Sequence, residues 1–393
     1  MILAQHGYSE GDKIVEGLKN NFIQGCIFNP KDIGLQELKE KIAGLSKNYP
    51  KAEIYFDPLF YASVPAQQYG NKARIGKLLS DYSYFSPKQY RDLRRERFIK
   101  EEIEKCLDFQ KSINLKNFIL PNIVIQDGLS SESSNIAKNF LDIGNEIANE
   151  QKIQEKCLLT LAFGQSCFRN QETLIDFVDE ITGFNSNVKG FYLLAETTIA
   201  SGSNHWFSSD VLNFQMYLTY ALKQANYNII HGFSLMPAPF LFAAGCDSVA
   251  FGWYNSLRYF SLDRFVPREE KAMKKPNRRY LDINLWHRIE SSKAASYKLL
   301  SENSAYINTD STDTEEILQH WKIVGDICGK VEKFKLYPEK LSYLLDWLKK
   351  SEIYRTKLEN FSIHNFNSQV KNCRLAIYDF ADLAEIPLPP QNG

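Results

Sequence analysis

Short apolar runs recur along this chain, and each stops abruptly at turn-forming or polar residues before a polar stretch of helical length. Phe22–Phe28 ends in Asn29-Pro30-Lys31-Asp32, Ala52–Phe56 in Asp57-Pro58, and Phe118–Ile125 in Gln126-Asp127-Gly128. Cys157–Phe163 ends in Gly164, Lys189–Ala195 in Glu196, Tyr227–Ile230 in His231-Gly232, and Asp247–Phe251 in Gly252. Between them lie segments patterned as helices, among them Leu35–Leu45, Ser134–Lys156, Gln171–Thr182 and Asp210–Ala225. Strand and helix alternating about seven times is the pattern of a parallel sheet, and near-continuous apolar strands mean that both sheet faces are covered.

Two architectures satisfy that pattern: an open doubly wound sheet and a (β/α)₈ barrel of the TIM type. The number of units favours closure, and no glycine-rich dinucleotide fingerprint follows the first run. The expectation is therefore an α/β fold, a (β/α)₈ TIM-like barrel over residues 1–285. Arg279–Ile283 is the candidate eighth strand. A long second strand-to-helix connection, Tyr61–Pro87, carries Tyr61, Tyr69, Tyr82, Tyr84 and Phe85 and suits a cover over the barrel mouth. Residues 286–393 read as a helical extension packed on the barrel, with helical patterns at Trp286–Leu300, Thr314–Val324 and Tyr337–Lys349.

Charge and cysteine content narrow the function classes. Lys plus Arg and Asp plus Glu both total 47, so no global field draws in nucleic acid or an anionic membrane. A nucleic acid reaches this chain only through a local patch, and the basic run Arg264–Arg279, with Lys274 and Lys275 at its centre, is the candidate. The seven cysteines are scattered and unpaired in spacing, which argues for reduced thiols and against a zinc cluster. With no apolar run of membrane-spanning length and no signal-like N-terminus, the expected setting is cytoplasmic and off the membrane. A protein partner or a second copy of the chain is left open, and the cofactor is unknown at this point.

In a barrel, loops after the strands converge at one end, so polar residues at strand ends meet in space. That groups Asp57, Asp127, Glu196 and His231 as candidate catalytic residues, since carboxylates in a partly dry mouth split their pKa values and a histidine moves protons. Asn29 and Lys31 from the first loop, and His205 and Trp206 from the Ser201–Asn204 loop, are candidate ligand-binding residues. The plainer alternatives are turn and cap roles for Asp57 and Asp127, a core role for His231, and ordinary surface loops for the rest.

The stretch Gly245-Cys246-Asp247-Ser248-Val249-Ala250-Phe251-Gly252 resembles the Gly-x-Asp-x-Val-x-x-Gly segment at the seventh strand of phosphate-binding (β/α)₈ barrels. That resemblance implies a structural Asp247, with Gly252 and Arg258 at a phosphate. The same region, His231-Gly232 through Pro237 and Pro239 to Ser248, is similar to the tRNA-guanine transglycosylase barrels. It departs from them in lacking their cysteine-rich zinc site and in carrying Ala250 where their nucleophilic aspartate stands. Together these features predict an enzyme acting on a phosphorylated or nucleotide-type ligand, with transferase-like glycosidic-bond or base-exchange chemistry as one version. A non-catalytic recognition or scaffold barrel and a flavin-binding barrel are the alternatives.

Overall fold

A computed structural model describes residues 1–183, 187–197, 208–267, 277–291, 312–356 and 366–389. The barrel strands are β1 (Ile2–Gln5), β2 (Gly25–Phe28), β3 (Glu53–Phe56), β4 (Phe118–Leu120) with β5 (Val124–Ile125), β6 (Cys157–Phe163), β7 (Gly190–Ala195), β8 (Asn228–His231) and β9 (Ser248–Phe251). All pair in parallel in the order β3-β2-β1-β9-β8-β7-β6-β4, with β5 continuing the β4 position along β6. β3 and β4 meet without a hydrogen-bonded ladder, so the eight-position barrel is nearly closed. This is the α/β TIM-barrel architecture.

Two strand assignments made from the sequence are corrected. The first barrel strand is Ile2–Gln5, a run of only four residues, so Phe22–Phe28 contains the second and every later strand moves up by one. The eighth barrel strand is therefore Ser248–Phe251. Arg279–Asp282 (β10) lies outside the barrel and forms an antiparallel hairpin with β11 (His287–Glu290). Trp286, expected to open a helix, sits at the hairpin turn with a positive φ of 47°.

Amphipathic helices cover the barrel. α1 (Lys13–Lys19) and α2 (Leu35–Asn48) follow the first two strands. The third connection holds the short helices α3 (Ser63–Tyr69) and α4 (Leu78–Asp81) before α5 (Glu96–Ser112), which buries Ile99, Ile103, Cys106 and Leu107 at helical spacing. α6 (Glu132–Glu150) starts where the Ser131 hydroxyl accepts the Ser134 N–H. α7 (Gln171–Gly183), α8 (Ser209–Gln224) and α9 (Ala238–Ala243) complete the ring.

Beyond the hairpin, α10 (Asp313–Glu332) opens with a capping box in which Thr312 and Glu315 each satisfy the other's backbone N–H. α11 (Tyr337–Thr356) and α12 (Phe366–Leu383) follow. α10 packs on α9 and α1, and α12 on α8. Trp321 of α10 donates its indole N–H to the Phe251 carbonyl at 3.2 Å, and Trp347 of α11 donates to the Ile283 carbonyl at 3.1 Å.

The aromatics of the third connection divide between two roles. Tyr82 and Tyr84 pack with Phe56 and Phe109 beneath the helical layer, their hydroxyls donating to the carbonyls of Ile33 and Pro58. They belong to the shell of the barrel. Tyr61 reaches the mouth.

Candidate functional site

The strand registers decide which residues look into the barrel. Leu3 stands beside Gly25 and Ala250, Gly25 beside Glu53, Gly190 beside Leu158 and Asn228, and Ile230 beside Ser248. Residues in register on parallel strands share a face, and the face alternates along each strand. Tyr192 of β7 reaches Asp57 beyond β3 and Gln5 of β1, strands it does not pair with, so this set faces the lumen. Continued to the strand ends, the inward positions are Gln5, Asn29, Asp57, Gln126 and Glu196, with Gly164, Gly232 and Gly252.

Asp57 is the centre of that layer. It is fully buried; Oδ1 accepts the Leu59 N–H at 2.9 Å, and Oδ2 accepts the Tyr61 hydroxyl at 2.7 Å and the Tyr192 hydroxyl at 3.2 Å. Burial pushes its pKa up, and the Tyr61 and Leu59 hydrogen bonds and the charge of Arg264 pull it back without cancelling the rise. The backbone turns sharply here, with Leu59 at φ 53°. A non-glycine residue held left-handed beside a buried carboxylate is a strain that surrounding structure must enforce. The glycine at 232 makes room for this arrangement, since a Cβ there would stand 2.5 Å from the Tyr192 hydroxyl.

The loop after β9 closes over this layer. Tyr61 packs edge-on against Phe260 and near Phe265, and Phe233 also contacts Phe260. The Arg264 guanidinium lies over Phe233 at 4.7 Å and Phe265 at 5.7 Å. Its Nε and Nη1 are buried without a hydrogen-bond partner among the described residues. Immediately outside is a cavity of about 220 Å³ lined by Lys31, Arg74, Ser256, Tyr259, Ser261, Asp263 and Arg264. The Lys31 ammonium donates to the Arg264 carbonyl at 3.2 Å. Three cations against one carboxylate make this cavity electropositive inside a neutral chain.

Asn29 is fully buried beside Asp57; its Oδ1 accepts the Lys31 N–H at 3.0 Å, while its Nδ2 has no partner among the described residues. Gln5, also fully buried, has an unpartnered Nε2 and its Oε1 is 3.5 Å from the Tyr192 hydroxyl.

Other residues expected at the mouth serve the frame instead. Glu196 does end β7 facing inward, yet Oε1 accepts the Leu262 N–H at 2.8 Å and Oε2 the Gln165 N–H at 3.4 Å. It fastens the turn that carries Arg264, and burial raises its pKa against those bonds. His231 sits on the outward register, where Nε2 meets the Thr219 hydroxyl of α8 at 2.7 Å. Burial drives its pKa down to about 3, so the ring is a neutral core group, not a proton shuttle at the mouth. Asp127 lies one residue beyond the inward position, on an exposed turn.

Gly252 does not offer its amide to a ligand, because that N–H bonds the Leu257 carbonyl at 2.9 Å, and a Cβ there would stand 2.3 Å from the Gln5 carbonyl oxygen. Arg258 does not face a ligand either. It is buried with Nη2 on Glu316 Oε1 at 3.0 Å and Nε on the Gly252 carbonyl at 3.0 Å, which ties α10 to the barrel. Arg288 joins the same carboxylate at 3.3 Å. Burial works to raise the Glu316 pKa, but Arg258 and Arg288 hold it below the ordinary carboxylate range. Asp247 is structural, with Oδ1 on Lys223 at 2.6 Å and Oδ2 accepting the Ile229 N–H at 2.9 Å. His205, Trp206, Lys274 and Lys275 lie outside the described residues.

Sequence reading missed Gln5 and Tyr192 as mouth residues and held Arg264 only as the first residue of the basic run Arg264–Arg279. Ile2-Leu3-Ala4-Gln5 carried the same apolar-to-polar signal as the other runs, but in four residues. Tyr192 was hidden inside an apolar run, and Arg264 at the edge of a basic one.

Among the described residues no helix is long and apolar enough to cross a membrane, and no group of three or more His, Cys, Asp or Glu side chains is placed to hold a metal ion. No protein-family model matches the sequence, and no curated protein matches it. Among solved structures, the chain is similar to dihydrodipicolinate synthase from Oceanobacillus iheyensis, at 12% identity over 94% of each chain with a TM-score of 0.32. Likeness at that level carries no argument about function; the barrel stands on its own strand order and registers.

Proposed function

We propose that the barrel mouth holds a small phosphorylated ligand and that the protein is an enzyme acting on it, with Asp57 as the group that exchanges a proton. The observation that carries this reading is Arg264. It is a buried cation with two unpartnered nitrogens, on the wall of a cavity that also holds Lys31 and Arg74. Native interiors rarely leave such donors unmet, and a planar guanidinium matches phosphate or carboxylate oxygens. Size favours a small ligand over a whole nucleotide, because 220 Å³ is below the roughly 300–1,000 Å³ of sites for drug-sized molecules. Asp57 has the desolvated setting in which a carboxyl group is tuned for acid–base work, with Tyr61 and Tyr192 fixing its orientation. Glycosidic or base-exchange chemistry is the weaker version, since both Glu196 oxygens accept fixed backbone N–H groups, whereas the Asp57 Oδ2 accepts only from the Tyr61 and Tyr192 hydroxyls, which can turn away.

The test is calorimetric titration of the full chain with inorganic phosphate. Arg264→Met keeps the stem packed between Phe233 and Phe265 and removes the donors, and it is expected to weaken binding by about tenfold or more. Equal affinity in the variant, or no phosphate binding by the parent protein, overturns the reading.

A second reading, a barrel that recognises without catalysing, draws on Tyr61, Phe260 and Phe265 filling the mouth above Asp57. Under it, phosphate binds but the parent protein turns over no phosphorylated compound, and Asp57→Asn leaves phosphate affinity unchanged.

A further inference from the structure

The unmet hydrogen-bonding groups of the mouth are weighted to one sign. Arg264 Nε and Nη1, Asn29 Nδ2 and Gln5 Nε2 are buried donors without acceptors among the described residues. The acceptors of the same layer are already engaged: Asp57 by Leu59, Tyr61 and Tyr192, Glu196 by the Leu262 and Gln165 N–H groups, and the Gln126 Oε1 by the Tyr90 hydroxyl. The hydroxyls of Ser63 and Thr197 also lack partners, but a hydroxyl turns to donate or accept as required. The orientation of the Asn29 carboxamide is set by its own turn, because Oδ1 accepts the Lys31 N–H, so Nδ2 is the atom left over. Lys31 in turn lines the outer cavity, which places Asn29 directly behind the cationic wall.

We infer that the ligand carries a second acceptor-rich group, a carbonyl or carboxylate oxygen, received by Asn29 and Gln5 while its phosphate lies against Lys31, Arg74 and Arg264. The substrate class is then a phosphorylated oxo compound or phosphorylated carboxylic acid. A simple alkyl phosphate leaves the inner donors unmet. A polyol phosphate brings hydroxyl protons into a layer whose carboxylate is already taken. A carbonyl or carboxylate oxygen accepts from both amides and brings no proton of its own. Entry requires the turn bearing Phe260, Arg264 and Phe265 to lift; it is held to the barrel by Leu262 N–H on Glu196 and by Thr197 N–H on the Phe260 carbonyl. This inference rests on the functional reading above.

The experiment titrates the full chain with four probes: inorganic phosphate, ethyl phosphate, glycolaldehyde phosphate and phosphoglycolate. The three esters share a two-carbon length and differ in the acceptor they present. Glycolaldehyde phosphate is expected to bind about tenfold or more tightly than ethyl phosphate, since sites built to hydrogen-bond a group discriminate against analogues lacking it. Phosphoglycolate is expected on the same side. In Asn29→Ser and in Gln5→Leu, the ratio of the glycolaldehyde phosphate and ethyl phosphate affinities should collapse toward one. Because the ratio is taken within one protein, a smaller folded fraction does not move it. If phosphate binds but the esters are not distinguished, buried water meets the inner donors and this inference alone falls. If inorganic phosphate does not bind at all, the functional reading falls and this inference with it.

Discussion

Replacing Asp57 separates what its carboxylate does for the fold from what it does for chemistry. Asp57→Ala removes the acceptor of three buried hydrogen bonds, those from the Leu59 N–H and from the Tyr61 and Tyr192 hydroxyls. Each orphaned donor costs about 1–3 kcal/mol, so the gross loss is at least about 3 kcal/mol. Relief from burying a carboxylate offsets part of it. Asp57→Asn keeps one acceptor oxygen, and its amide faces hydroxyls that turn to accept, so its stability should stay within about 1 kcal/mol of the parent. A chain of 393 residues unfolds with an entropy of about 0.8 kcal/mol/K, so a loss of about 3 kcal/mol appears as a fall of about 4 °C in Tm.

The pH dependence supplies a second readout. The folded-state pKa of Asp57 is raised, so the native state keeps this proton to a higher pH than the unfolded chain. Stability from this group therefore falls as pH rises from the ordinary carboxylate value through the raised one, and Asp57→Asn should lose that slope. Thermal melts of parent, Asn and Ala variants from roughly pH 4, the ordinary carboxylate value, upward make the measurement. Equal Tm for the Ala and Asn variants would show that the three hydrogen bonds do not hold the mouth together, and the reasoning would fail.

Three further perturbations follow from the same geometry. Glu316→Leu strands Arg258 and Arg288 in the interior, and denaturant melts should show a loss of about 3–5 kcal/mol; an unchanged midpoint would mean that α10 is not fastened through this carboxylate. Gly232→Ala drives a Cβ into the Tyr192 hydroxyl and should weaken the Tyr192–Asp57 hydrogen bond, shifting the Asp57 titration seen by carboxyl NMR; an unshifted titration counts against it. His231, with its pKa lowered to about 3, contributes stability that is lost as pH falls from about 6.5 toward that value. Its imidazole carbon shifts should therefore remain those of the neutral ring at pH 5 (about the point where an ordinary histidine is mostly charged), and a charged ring there refutes the burial argument.

The repeat of apolar run and polar stop was legible because every strand is buried on both faces, which removes the alternation but leaves the stops sharp. The same property hid the site. Along Asn228-Ile229-Ile230-His231-Gly232 nothing in the sequence says whether residue 231 or 232 faces the lumen; that parity comes from the register of Ile230 on Ser248. His231 therefore read as facing the lumen and sits on the outward register, and Asp127 stands one position past the inward one, whereas Asn29, Asp57 and Glu196 end their strands facing inward. Gln5 was missed because four residues give no periodicity to measure, and Arg279–Ile283 was taken for a barrel strand because a hairpin strand has the same composition. Tyr61 was legible as a cover, but its engagement with a carboxylate four residues earlier depends on the left-handed turn at Leu59.

The pairing of β1 with β9 has a consequence for how the chain is made. The amine of Met1 donates to the Asp247 carbonyl across 246 residues, and β1 finds its second neighbour only when that distant stretch exists. At about 5–20 residues per second, a ribosome leaves the free edge of β1 waiting on the order of 10–50 s. During that time Ile2, Leu3 and Ala4 present an apolar strand with unpaired backbone groups, the template from which misassembly starts. Slower synthesis should then lengthen that exposure, and chaperones that cover the β1 edge should reduce misassembly.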